Sequence, residues 1–169
     1  MDKITNNEPL PYRQVALHIA ISYIGQQEIP KGSNWGPFVQ ECLKTVGIFN
    51  PAPWCMAVMY RIYKEAAEKT GQPNTCFRTG HVLTCWNMTP KDKRILKKNA
   101  TAANVLAGYQ FFMDFGKSTG HTGIVERIEG DTIHTLEGNT NDEGSREGYE
   151  FCRRTRSLKD PRLLGFAIR

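Results

Sequence analysis

No stretch of the 169-residue chain approaches the ~18 consecutive apolar residues of a membrane-spanning helix. The opening, MDKITNNEPLPYRQ, also lacks the apolar run of roughly 7 to 15 residues that a secretory leader needs. A leader removed before the first residue would escape this reading, so location stays open. There is no internal repeat and no low-complexity tract. Zinc-site spacing is missing too: Cys76 and Cys85 are too far apart for a C-x(2–4)-C pair, and no H-x(3–5)-H pair accompanies them. A structural metal is therefore not expected, and nothing calls for an organic cofactor. The basic cluster Lys91, Lys93, Arg94, Lys97 and Lys98 has no interleaved aromatics and fits no helix-turn-helix or finger pattern. It reads as a solvated helix face, and no nucleic-acid partner is expected.

What is present is the balance of a water-soluble globular chain, 40% hydrophobic and 23% charged. Its length suits one core spanning residues 1–169 without a linker. The net charge of +5 favours polyanions, including anionic wall polymers or an acidic protein partner. Five cysteines are an odd number, so one thiol stays unpaired in a monomer. A Cys76–Cys85 disulfide is one open alternative for two of the others.

Apolar residues recur at helical spacing between Pro11 and Gly25, from Phe38 to Val46, and from Trp54 or Cys55 to about Lys69. His18 and Cys42 fall within these stripes and read as packed core residues. Residues 74 to 104 look irregular or weakly helical. Strands are expected at 110–115, 121–128, 132–137, 150–156 and 163–168, separated by turn residues. Helices first and a meander afterwards argue an α+β fold, with the helices packed on one side of an antiparallel sheet.

Three local features carry chemistry. Cys55 opens the third helix, where unpaired backbone N–H groups and the positive end of the dipole stabilise a thiolate. The Cys55 amide would also be free to bind an oxyanion. His121, between Gly120 and Gly123 at the mouth of a strand, can act as general base and then protonate a leaving amine. Glu137 and Asn139, at the end of the next strand, project to one face and can orient the imidazole. Asn139 also suits a turn. A three-residue turn at Glu129-Gly130-Asp131, pairing Ile128 with Thr132, would set His121 opposite Asn139 with Glu137 on the same face. A two-residue turn would reverse the faces.

Pro53-Trp54-Cys55, Gly120-His121-Thr122-Gly123-Ile124-Val125 and Glu137-Gly138-Asn139, in that order, resemble the CHAP family. These are the cysteine, histidine-dependent amidohydrolases/peptidases, related to NlpC-type cell-wall peptidases of papain-like fold. Gly32-Ser33-Asn34-Trp35-Gly36-Pro37 and Leu164 to Arg169 also look like flanking segments of the group, so the resemblance covers about residues 15–169. A Pro-Gly-Asp turn usual in the family is replaced here by Leu106-Ala107-Gly108-Tyr109. No separate wall-binding module is evident.

The resemblance implies a peptidoglycan hydrolase that cuts an amide, either as an N-acetylmuramoyl-L-alanine amidase or as a stem or cross-bridge endopeptidase. In that scheme Cys55 is the nucleophile, His121 the base, and Glu137 the orienting group, with Asn139 assisting or replacing it. Asn34, Trp35 and Trp54 are then candidates to line the substrate groove. A wall substrate implies a periplasmic or secreted site of action. The same chemistry serves a phage lysin or an antibacterial toxin, the latter with an acidic immunity protein as partner. The non-enzymatic alternative is a cell-wall-binding protein.

Overall fold

A computed structural model describes residues 10–140 and 148–169; the first nine residues, read above for a leader, lie outside them. Helix α1, Tyr12–Ser22, starts at Pro11, whose carbonyl accepts from the Gln14 and Val15 amides. It buries Tyr12, Ala16, Ile19 and Ala20, and this stripe leaves His18 on the exposed side rather than in the core. Helix α2, Pro37–Thr45, uses the fixed φ of Pro37 in its first turn and buries Val39, Cys42 and Leu43. Helix α3, Cys55–Thr70, ends where Gly71 turns left-handed at φ 68°. Its fully buried Met56, Met59, Ile62 and Tyr63 form the centre of the core, each stabilising the fold by about 1.5–3 kcal/mol through burial alone.

The stretch read as irregular holds more order than its pattern suggests: helix α4, Val82–Met88, and strand β1, Arg94–Leu96. The basic cluster is therefore not a helix face. It forms two short 3-10 turns around β1, and Arg94 turns inward to bond the Asn87 and Thr89 carbonyls while lying 5.0 Å from the Trp86 ring centre. The other strands fall where alternation places them: β2 Gln110–Gly116, β3 Thr119–Glu129, β4 Thr132–Thr140, β5 Glu150–Ser157 and β6 Leu163–Ala167.

All six strands join one antiparallel sheet in the order β1-β6-β2-β3-β4-β5, so β6 returns to lie between β1 and β2. Alternating side chains divide the interior in two. Phe112, Ile124, Leu136 and Phe151 face the helices, whereas Phe111, Met113, Val125, Ile133 and Phe166 form a second cluster with Val105 and Tyr109. The fold is α+β, and no helix among the described residues is long and apolar enough to cross a membrane.

The β3–β4 hairpin departs from the expected turn. Glu129 pairs with Thr132 and Ile128 with Ile133, which leaves a two-residue turn with Gly130 at φ 59°. By itself this register would send His121 and Glu137 to opposite faces. A β-bulge prevents that: Arg127 pairs with His134 but Val125 with Thr135, so Glu126 has no residue across from it. The fork of Arg153 on β5 holds the bulged Glu126 carboxylate at 2.9 to 3.1 Å. The shifted pairing, which runs to Ile124 opposite Leu136, brings His121 and Glu137 to the same face, where their side chains meet.

Gly138 marks where α3 presses on this hairpin. A Cβ there would sit 2.5 Å from the Trp54 ring and 2.8 Å from Val58. Gly138→Ala is expected to destabilise the fold by about 1–3 kcal/mol through overpacking, read as a lower denaturation midpoint at unchanged slope.

Candidate active site

Three elements meet at the start of α3. The Trp54 backbone N–H, at the N-cap, donates to Asn139 Oδ1 at 2.8 Å, while Asn139 Nδ2 donates to the Gly148 carbonyl at 3.0 Å. Asn139 holds this geometry at φ 55°, a left-handed conformation that asparagine tolerates better than most residues. Its amide thus ties the end of β4 to the turn carrying Cys55. The Trp54 indole N–H donates to Glu28 Oε1 at 2.8 Å, and Glu28 Oε2 accepts from the Asn34 amide at 2.9 Å. Glu28 is buried. It anchors the loop of Asn34 and Trp35 behind the nucleophile turn. Nothing in its sequence neighbourhood singled it out.

His121 and Glu137 are wholly buried on adjacent strands, and His121 Nε2 lies 2.7 Å from Glu137 Oε2. The Glu137 carboxylate also accepts from Arg156 Nε at 2.9 Å, Arg156 Nη2 at 2.5 Å and Thr135 Oγ1 at 2.6 Å. Arg156 reaches it from β5 and is missed by the sequence reading, as is Thr135. Phe115 stacks nearly parallel to the imidazole at 6.4 Å, and Phe111 flanks it at 6.1 Å. The second ring nitrogen, Nδ1, is buried and makes no conventional hydrogen bond. The remaining ionisable neighbour acting on the ring is Cys55.

The electrostatics follow from these contacts. Burial of the imidazole opposes its charging, but the Glu137 charge and the interactions with Cys55 and Glu137 outweigh burial and push His121 up to about 9. Burial of Glu137 likewise favours its neutral form. The Arg156 hydrogen bonds, followed by the His121 charge, overcome this and hold the carboxyl down at about 2. At neutral pH the pair is an imidazolium held by a carboxylate.

Cys55 is 6% exposed, and its open side lines a cleft of about 490 Å³. The walls come from three places: the α2–α3 loop with Ile48 and Ala52, the segment Arg78–Val82, and the β2–β3 turn with Ser118 and Thr119. Lys117 and Ser118 in that turn both have positive φ, 52° and 60°, the backbone of a two-residue type I′ hairpin turn closed by the Gly116–Thr119 pair. The expected groove residues lie elsewhere. Trp54 has no exposed surface because its ring is core, packed edge-on to Phe38 at 6.0 Å. Asn34 and Trp35 are half-buried and do not line this cleft.

No disulfide joins any of the five cysteines among the described residues. Burial drives Cys42 up to about 12. Cys76 and Cys85 are buried together, and hydrogen bonding from Cys76, aided by Arg169, offsets burial and lowers Cys85 to about 7. Neither lines the Cys55 cleft.

The CHAP domain profile matches residues 47–139, more than half of the chain, from the end of α2 through Cys55, His121 and Glu137 to Asn139. The chain belongs to the CHAP family. A solved structure similar to this CHAP chain is that of the wild type endolysin LysIME-EF1, at 15% identity and a TM-score of 0.55. The likeness covers 91% of this chain and 62% of that one, so this CHAP chain spans under two thirds of the endolysin's length. At this identity the likeness is one of fold. No curated protein sequence matches significantly.

Removing the Glu137 charge isolates its effect. In Glu137→Gln the His121 titration, followed by NMR of the ring protons, is expected to fall below about 9, because the Glu137 charge is lost and burial is then opposed by Cys55 alone. Stability should change with it. In the wild type, the raised His121 stabilises fully below 6.5, and this is lost as pH rises through about 9. The lowered Glu137 stabilises fully above 4.5, and this is lost as pH falls through about 2. Both contributions are complete between about 4.5 and 6.5, and Glu137→Gln should flatten the pH dependence on both sides of that window.

Proposed function

We propose that this CHAP domain is a cysteine hydrolase of peptidoglycan that cleaves an amide bond through Cys55 and His121. The single observation that carries the reading is the buried line Arg156, Glu137, His121 ending at Cys55, the one thiol of this network that opens on a cleft. Family membership and the endolysin fold support a wall substrate.

In the proposed cycle the Cys55 thiolate attacks the scissile carbonyl carbon, and the carbonyl electron pair moves onto oxygen. The amides that open α3, having no partner inside the helix, stabilise that oxyanion. Collapse breaks the C–N bond, and the His121 imidazolium gives its proton to the departing amine. Neutral His121 then takes a proton from water as the water attacks the thioester. The acid leaves, and thiolate and imidazolium are restored. Glu137 keeps the ring in position and stabilises its charge, and Arg156 and Thr135 keep Glu137 in position. Asn139 is a positioning residue for Trp54 and Cys55, a different task from standing in for Glu137.

Digestion of purified sacculi tests the reading. Wild type should release muropeptides or new amino groups, and Cys55→Ala should lower the rate by on the order of 10⁴-fold or more. Mass spectrometry of the fragments assigns the cut to the muramoyl amide or to the peptides. Equal product from both proteins would overturn the proposal.

A further inference from the structure

We propose that Arg78 is a specificity residue of the Cys55 cleft that pairs with a free carboxylate beside the scissile amide, making the substrate an acidic peptide; this rests on the reading of the cleft given above. Among the described residues, Arg78 is the only Asp, Glu, Lys or Arg lining the cleft. Its Nε donates to the Thr45 carbonyl at the end of α2 at 2.8 Å, which fixes the start of the guanidinium. Neither Nη has a hydrogen-bond or ion-pair partner among the described residues, although Arg61, Arg127, Arg153, Arg156 and Arg162 each have a carboxylate. The guanidinium is thus tethered at one edge and free along the edge that forms forked bonds.

The rest of the cleft agrees with an anionic peptide. Its other polar side chains are the hydroxyls of Thr79, Ser118 and Thr119 and the imidazole of His81, and among the described residues no acid lines it. Ile48 and Ala52 offer an apolar wall suited to a small aliphatic side chain. A carboxylate accepts two parallel N–H bonds and meets the charge of Arg78, whereas the isosteric carboxamide accepts on one oxygen and carries no charge. That difference should be worth about 10- to 100-fold in affinity.

The test uses two disaccharide-tetrapeptides that differ only in a free acid or a carboxamide at the second stem residue. Calorimetric binding to Cys55→Ala, which holds substrate without turning it over, is expected to favour the free acid by about 10- to 100-fold. Adding Arg78→Gln should bring the two affinities within about twofold, while adding Arg78→Lys, which keeps the charge without the fork, should leave an intermediate preference. Equal binding of both peptides to Cys55→Ala, binding of neither, or a preference that survives Arg78→Gln would each overturn the proposal. Failure of the nucleophile assignment shows separately, as hydrolysis by Cys55→Ala equal to wild type.

Discussion

The site depends on one buried carboxylate. Glu137 lies on β4 with no exposed surface, and an isolated charge there would be prohibitively costly. It remains ionised because Arg156, Thr135 and His121 together fill its acceptor positions. Each partner in turn depends on it. Arg156 is buried for most of its length beside that charge, and His121 carries a proton at neutral pH because of it. With the proposed thiolate the line alternates in sign, Arg156 positive, Glu137 negative, His121 positive and Cys55 negative. Such a line is balanced only when all four members are present, which is why a buried network of this type is sensitive to the loss of any one.

The frame that brings the line together is a meeting of unlike elements. Helix α3 is held by its apolar face against the sheet, and this sets the direction in which Cys55 points. Its exact starting point is set by polar bonds: Asn139 on the Trp54 amide and Glu28 on the Trp54 indole. Apolar packing tolerates small slides, but two directed hydrogen bonds to one residue do not. The tryptophan beside the nucleophile therefore acts as a locating pin buried in the core, not as a surface for ligand.

Much of this was legible in the sequence. Alternation and helical stripes placed three helices and five strands within a few residues, and the helix start and glycine-flanked strand marked Cys55 and His121. Other features depend on pairing that a single strand does not display. In β5 the arginines Arg153, Arg154 and Arg156 look alike; the register puts both Arg154 and Arg156 on the Glu137 face, across from Thr135 and Ile133, and only the side-chain contacts show that Arg156 reaches the carboxylate. Glu126 sits in an alternating run in which nothing signals a bulge. The cleft walls come from three separate loops, whose convergence no local pattern records. Trp54 misled for a related reason: aromatic character next to a nucleophile suits a groove and a core equally well, and burial decides between them.

The turn at Gly130-Asp131 and the bulge at Glu126 form a compensating pair. Each changes which residues face which, and only together do they keep His121 and Glu137 in contact. A one-residue insertion or deletion anywhere between these two side chains inverts one of them, even where the sheet could still re-form its backbone bonds around the change. Length variation in this hairpin is therefore constrained by parity: changes that come in twos, or an added residue matched by loss of the bulge, can preserve the site, and solitary ones cannot.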